Sequence, residues 1–266
     1  MMTVGFVGAG RMGAPMVRRL VEAGHEVRAF GRSVEKRRVV SDLGAQPVTD
    51  LADVGADAEV VIVCVLTDEQ VQQVCLESVL LSTMGPGAVL VIHTTGSPRT
   101  AESVAAQAGS HGVDVIDAPV SGSPHDIAAG CVTLFVGGSD DAVERARPVL
   151  EGYADPILHV GPIGAGQGVK LVNNTLFAAQ IGLLHEAVRL GDRLGVDEAQ
   201  LLDAIGHGSA ASRVASMVGA RGSVSAFIDI VGEFVGKDVA VVRKTAAELG
   251  SDLGLLDDVI NAGFQG

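Results

Sequence analysis

Short uninterrupted apolar runs alternate with stretches whose apolar residues fall three and four apart along the first 160 residues. The runs at 3–7, 25–30, 58–66, 88–92, 113–117, 132–136 and 157–160 have the length and composition of buried strands. Residues 14–23, 69–82, 100–108 and 142–150 carry helical spacing between them. Continuous apolar runs such as AEVVIVCVL at 58–66 predict a mostly parallel sheet covered on both faces. Beyond Gly161 the pattern changes. Val169, Val172, Leu176, Ala179, Leu183, Ala187 and Leu190 recur at three and four, which predicts one helix over 168–194. At 1.5 Å per residue it is about 40 Å long, enough to cross a domain. Further helices are expected at 197–205, 227–250 and 255–262, while 209–224 is rich in small residues and ambiguous. The expected division is an α/β domain at 1–162 and an all-helical domain at 163–266 that begins with the long helix.

The first strand runs straight into Gly8-Ala9-Gly10-Arg11-Met12-Gly13, with a helix and a second strand behind it. GxGxxG in that position is the Rossmann dinucleotide fingerprint. Gly8 permits the tight turn, Gly10 lets the backbone approach a pyrophosphate, and Gly13 lets the helix pack on the strand. The helix N-terminus adds the positive end of its dipole. Arg11 and Met12 complete the candidate loop. Where an acidic residue would meet the ribose of NAD, the second strand ends in Gly31-Arg32-Ser33, followed by Lys36, Arg37 and Arg38. In a chain this acidic, Arg32 and Ser33 point to a 2′-phosphate and so to NADP, with NAD as the alternative. Lys36 to Arg38 also fit a solvated helix face. Open sheets bind ligands at strand C-termini. That places Leu66 and the loop 67–68, then Thr94-Thr95 in HTTGSP, beside the cofactor. Ser121, Gly122 and Ser123 form a third strand-end loop of small residues, able to offer several N–H groups to an anion such as a carboxylate.

Composition narrows the partners. A formal net charge of −13 argues against nucleic acid and against an anionic membrane. One Tyr, no Trp and seven Phe leave few stacking platforms for single strands. Cys64, Cys75 and Cys131 show neither disulfide nor metal spacing, the histidines are scattered, and no metal site is expected. The apolar stretches are broken by polar residues and no signal peptide is read at the start. The expectation is a soluble cytoplasmic protein.

Lys170 enters an otherwise apolar helix just after glycines 161, 164, 166 and 168, with Asn173 and Asn174 three and four residues on. That spacing puts an amine and two amides on one face. Lys170 is the candidate general acid/base, Asn174 a candidate to fix the reacting oxygen or the amine, and Asn173 a packing or backbone-bonding residue.

The motifs GxGxMGxPM, DAPVSG and GxGxxxKLxNN, in that order from Gly5 to about Ala240, resemble the β-hydroxyacid dehydrogenase family. Its members include 3-hydroxyisobutyrate dehydrogenase, tartronate semialdehyde reductase, glyoxylate and succinic semialdehyde reductases and, more distantly, 6-phosphogluconate dehydrogenase. The resemblance implies an NAD(P)-dependent enzyme interconverting a small carboxylate-bearing β-hydroxyacid and its semialdehyde or keto form. It implies GAGRMGAPM around the cofactor and Thr95 near the nicotinamide. Ser121, Gly122 and Ser123 would lie on the substrate carboxylate, with Lys170 as acid/base, Asn174 orienting the substrate, and Lys237 closing over cofactor or substrate. Where relatives usually read Ser-Gly-Gly and then Gly-Ala, this chain reads SGSPHDIAAG, with Ser123 for the second glycine and Asp126-Ile127 for the pair. An outward, solvated Asp126 is expected. Two other readings stay open: an imine reductase-like enzyme, although that group usually places Asp or Tyr where this chain has Lys170, and a non-catalytic NADP(H)-binding regulatory protein. Apolar surface along the long helix predicts a homodimer or homotetramer packed through it.

Overall fold

The computed structural model describes residues 1–264. The chain divides into two compact units, Met1–Lys170 and Leu171 to the end of the described residues.

In the first unit the elements run β1 (Thr3–Val7), α1 (Gly13–Glu22), β2 (Glu26–Phe30), α2 (Val34–Asp42), β3 (Gln46–Val48) and α3 (Leu51–Gly55). There follow β4 (Val60–Val63), α4 (Asp68–Cys75), α5 (Leu80–Thr83), β5 (Val89–Ile92), α6 (Pro98–Gly109) and β6 (Asp114–Asp117). The unit continues with β7 (Val120–Ser121), α7 (Pro124–Ala128), β8 (Val132–Gly137), α8 (Asp140–Leu150) and β9 (Ala154–Gly161). The sheet reads β3-β2-β1-β4-β5-β6-β8-β7, with β9 on β8. Its first six strands are parallel. This is the doubly wound 3-2-1-4-5-6 order, whose direction reverses between β1 and β4. β8 departs, running antiparallel to β6 and β7, and β9 runs parallel to β8 in that reversed direction.

Strand side chains alternate between two cores because both sheet faces are covered. Val60 and Ile62 join Phe6, Met16, Leu20 and Leu134 on one face. Val61 and Val63 join Leu80, Leu90 and Val104 on the other.

The second unit is helical. α9 (Ala165–Arg193) starts in the first unit, and α10 (Glu198–His207), α11 (Arg213–Gly219), α12 (Val224–Glu248) and α13 (Leu255–Phe264) follow. Ile181 and Leu184 of α9 pack with Leu202, Val214, Val218 and Phe227. Ala178 and Ala179 pack with Val235, Val239 and Ile260. Gly182 and Gly263 let α9 and α13 touch backbone to backbone, since a Cβ on Gly182 would overlap the Val259 carbonyl.

Several elements differ from expectation. The strand expected over 58–66 keeps only Val60–Val63, because Thr94 Oγ1 takes the Val65 N–H at 3.0 Å and Thr67 already caps α4. The helix expected over 69–82 breaks at 76–79, where the Ser78 hydroxyl bonds the Val74 carbonyl at 2.6 Å and accepts the Leu80 N–H at 3.1 Å. The ambiguous 209–224 contains α11, begun by Ser212 accepting the Ala215 N–H. α9 begins at Ala165, earlier than the glycine-rich sequence suggests.

Of the apolar stripe that predicted the long helix the fold buries Ala179 but leaves the larger residues uncovered. Leu171, Thr175, Ala178 and Ile181 are buried, whereas Val172, Leu176, Leu183 and Leu190 stand 62, 46, 56 and 56 % exposed. The helix is apolar on two faces, so its three-and-four spacing fits either.

Candidate functional site

The β1–α1 turn is built by overlap. Gly8 holds φ +103°, and a Cβ there would collide with the Cys64 carbonyl. A Cβ on Gly13 would collide with the Gly8 carbonyl and press on Phe6. At Gly10 a Cβ would meet nothing within 4 Å, so the tight packing stops where a ligand's phosphate would approach. α1 starts at Met12 with no side-chain cap. Elsewhere Ser33, Thr67, Ser97 and Ser139 accept N–H bonds at helix starts. In the first turn of α1 the Ala14 N–H goes to the Gly10 carbonyl at 2.8 Å and Pro15 has none, so what this start offers an anion is the Gly13 N–H and the positive end of the dipole. This turn fits a dinucleotide pyrophosphate.

Arg32 is exposed at the end of β2, next to Ser33. Ser33 caps α2 by accepting the Lys36 N–H at 3.2 Å. The same hydroxyl, first among the causes, holds the exposed Glu35 carboxyl below its ordinary value. Arg37 turns inward, donating to the Gly31 carbonyl at 3.2 Å, while Lys36 and Arg38 are exposed. Leu66 is exposed just past β4.

The loop after β5 is fastened from three directions. Thr94 Oγ1 accepts from the Val65 N–H and donates to the Val65 carbonyl. Asp68 accepts the Ser97 N–H at 3.0 Å and the Thr100 hydroxyl at 2.6 Å. Gln167 of α9 donates to the Thr94 carbonyl at 2.7 Å and accepts the Gly96 N–H at 2.9 Å. Thr95 sits between these anchors, half-buried.

Asp117 ends β6 fully buried. It accepts the Gly164 N–H at 2.7 Å and the Gln167 N–H at 2.6 Å. Burial pushes its pKa up to about 6 against the pull of those bonds. Lys170 lies one turn beyond Gln167 and is half-buried.

Ser121 ends β7, and Gly122 follows it ahead of α7. Asp126, expected outward and solvated, is half-exposed and bonds back to its own turn. Its Oδ2 accepts the Ser123 N–H at 2.6 Å and the Ser123 hydroxyl at 2.8 Å, in a capping box with Ser123. The Ser123 N–H expected to offer itself to an anion is thus bonded within the chain.

In the second unit Asn174 Nδ2 donates to Asp238 Oδ2 at 2.5 Å, and Asn173 Nδ2 donates to Asn174 Oδ1 at 3.1 Å. Asn173 thus bonds a side chain, where packing or a backbone bond was expected. Lys237 Nζ pairs with the other Asp238 oxygen at 3.0 Å. Lys237 and Asn174 therefore meet through one carboxylate. The sequence pattern picks out both but not Asp238 as their link, and it gives no role to Gln167 or to Asp117, the first residue of DAPVSG. A carboxylate ending a buried run, as Asp117 does, was the available signal.

Residues 3–161 match the family model described as the NAD binding domain of 6-phosphogluconate dehydrogenase. Residues 164–262 match the model described as NAD-binding of NADP-dependent 3-hydroxyisobutyrate dehydrogenase. A probable 3-hydroxyisobutyrate dehydrogenase of Mycobacterium tuberculosis is 38% identical over 205 residues, 77% of this chain and 69% of the relative. An NAD-dependent L-serine dehydrogenase of Pseudomonas aeruginosa is 35% identical over 198 residues, 74% and 66% of the two chains. The solved Mycobacterium tuberculosis 3-hydroxyisobutyrate dehydrogenase with L-serine superposes with a TM-score of 0.89 at 31% identity, covering 98% of this chain and 92% of that one. An imine reductase from Pseudomonas sp., at 18% identity and a TM-score of 0.68, shares the fold.

Proposed function

The chain belongs to the β-hydroxyacid dehydrogenase family and is an NAD(P)-dependent oxidoreductase acting on a CH–OH group, and from that premise we propose that it interconverts a small β-hydroxyacid and its semialdehyde with NADP, using Lys170 as general acid/base. One observation carries the assignment to Lys170. It stands in the first turns of a helix whose start is hydrogen-bonded to the strand-end loop holding Thr95.

Gly8, Gly10, Arg11, Met12 and Gly13 hold the pyrophosphate, with the uncapped start of α1 supplying the positive end of its dipole. Arg32 and Ser33 take the 2′-phosphate, Arg32 as the charged donor. Leu66, Thr95 and Lys237 complete the cofactor contacts. When bound, the nicotinamide takes up the hydride in oxidation and supplies it in reduction. Lys170 Nζ takes the proton from the carbinol oxygen in oxidation and returns it in reduction. Asn174, whose amide nitrogen is held by Asp238, orients the substrate oxygen or the amine. Ser121 and Gly122, more than Ser123, receive the substrate carboxylate. Chemistry drawn from L-serine and 3-hydroxyisobutyrate, the compounds in the relatives' names, defines the size class.

Val172, Leu176, Leu183 and Leu190 form one exposed apolar stripe on α9, which supports a homodimer or homotetramer packed through that helix. Among the described residues no single helix is long and apolar enough to cross a membrane. Cys64, Cys75 and Cys131 are free thiols, and a place in the cytoplasm is the matching proposal.

The test is a panel of small hydroxyacids and semialdehydes with NADP(H) and NAD(H), followed at the nicotinamide absorbance band. Wild type turns over at least one pair and Lys170→Ala does not. Turnover undiminished in Lys170→Ala removes the assignment.

A further inference from the structure

We propose that Asp117 and Gln167 are positioning residues for Lys170, fixing the amine's place relative to the Thr94–Gly96 loop by hydrogen bonds made wholly within the first unit. The inference rests on Lys170 being the proton carrier.

Asp117 takes two of the N–H groups that open α9, from Gly164 at 2.7 Å and Gln167 at 2.6 Å. A carboxylate there also sits favourably against the helix dipole. Most other helix starts in the chain use a serine or threonine hydroxyl, as at Ser33, Thr67, Ser97 and Ser139. A fully buried carboxylate is a costlier cap, because an ion taken from water loses its hydration. What it adds is reach, since it ties the end of β6 to the first turn of α9. There is no slack around it. A Cβ on Gly137 or Gly166 would run into Asp117 atoms.

Gln167 is 1 % exposed and spends both ends of its amide on one loop. Nε2 donates to the Thr94 carbonyl at 2.7 Å and Oε1 accepts the Gly96 N–H at 2.9 Å. Thr95 is bracketed between those bonds. The backbone of Gln167 is thus pinned by Asp117 and its side chain by the loop. Lys170 follows three residues later, about 4.5 Å along the same helix. A rigid turn carries that placement to the amine. Proton transfer tolerates little error, and a misplacement of about 1 Å costs about 100-fold in rate.

The experiment uses the full chain with racemic 3-hydroxyisobutyrate and NADP⁺, comparing wild type, Lys170→Ala and Gln167→Met, which keeps volume and removes both side-chain bonds. Circular dichroism and thermal melts check folding, and Gln167→Glu is read in place of the Met variant if that one does not fold. The expected result is an inactive Lys170→Ala, with kcat of Gln167→Met lowered about 10- to 100-fold. KM for NADP⁺ stays within about threefold and the alkaline-activated limb of the pH–rate profile moves. With Lys170→Ala inactive, a Gln167 variant with wild-type kcat and an unmoved limb overturns the proposal and leaves the Lys170 assignment standing. So does one whose loss is all in KM for NADP⁺. An active Lys170→Ala overturns both.

Discussion

His93 and Tyr153 meet edge-on in the core, ring planes at 85°, with His93 Nε2 2.7 Å from the tyrosine hydroxyl. The other ring nitrogen, Nδ1, lies 2.5 Å from the Ala118 carbonyl. A carbonyl only accepts, so Nδ1 carries the proton and Nε2 accepts from Tyr153. The ring is neutral, and burial pulls its pKa down from 6.5 to about 4. Next along the sheet, Asp117 has the opposite linkage, pushed up from 3.8 to about 6.

The two signs predict a specific pH dependence. His93 carries stability that is complete above pH 6.5 and is lost as pH falls toward 4, because the unfolded chain binds the proton first. Asp117 takes up a proton in the folded state before the unfolded one, so its contribution falls as pH rises from 3.8 to 6. Between pH 4 and 6 they oppose each other. In Asp117→Asn only the histidine linkage remains, and unfolding free energy should rise more steeply with pH there, by up to about 1.4 kcal/mol per pH unit. Urea melts at half-unit steps check it. Slopes equal to wild type would remove the argument.

Tyr153→Phe isolates the pair itself. It leaves His93 Nε2 buried without its donor, at a cost of about 1–3 kcal/mol. The urea midpoint at pH 7.5 should fall with the m-value unchanged. An unchanged midpoint would mean another donor reaches that nitrogen.

Two glycines in the first turn should separate folding from binding. Gly10→Ala places its methyl in open space, so the cofactor-free protein should melt as wild type does while NADPH affinity drops about 10-fold or more. Gly13→Ala forces a methyl into the Gly8 carbonyl and should lower the melting temperature. Equal loss of stability in both would contradict the geometry. Arg32→Ala adds the specificity test. A charge-assisted bond contributes about 1.5–3 kcal/mol, so the preference for NADPH over NADH should fall by about 10- to 100-fold in kcat/KM.

How much of this was legible in the sequence depends on how local each signal is. The β1–α1–β2 unit was readable because period, glycines and lengths coincide within 30 residues. By contrast β3 is the three-residue Gln-Pro-Val, too short to show a period, and α2 is charged on most of its surface. The site behaves the same way. Lys170 and Asn174 stand out by composition, but Asp238 meets Asn174 across 64 positions and Asp117 meets Gln167 across 50. Nothing in a one-dimensional pattern pairs residues that far apart. The stripe on α9 shows the complementary limit, since periodicity finds a helix without saying which of two apolar faces the chain itself covers.

The exposed face is open to a direct test. If α9 packs against a second copy, Leu176→Glu or Leu183→Glu should halve the sedimenting mass at micromolar concentration while the urea midpoint of the isolated subunit barely moves. A wild-type protein that already sediments as a monomer would end the idea.

Asp126 carries the last prediction. Its carboxylate already occupies the Ser123 N–H and hydroxyl, at 2.6 and 2.8 Å. A substrate carboxylate seeking that N–H would meet a like charge, so only Ser121 and Gly122 remain to receive it on that loop. Asp126→Ala removes the charge while the Ser123 hydroxyl can still accept the residue-126 N–H that begins α7. KM for 3-hydroxyisobutyrate should therefore fall about 10-fold in Asp126→Ala, with kcat nearly unchanged, because the gain is uniform binding. The gain should shrink with salt and vanish for an uncharged alcohol of the same shape. A KM that stays put or rises would place the substrate carboxylate away from Ser123, and the capping box would then be purely a device for starting the helix.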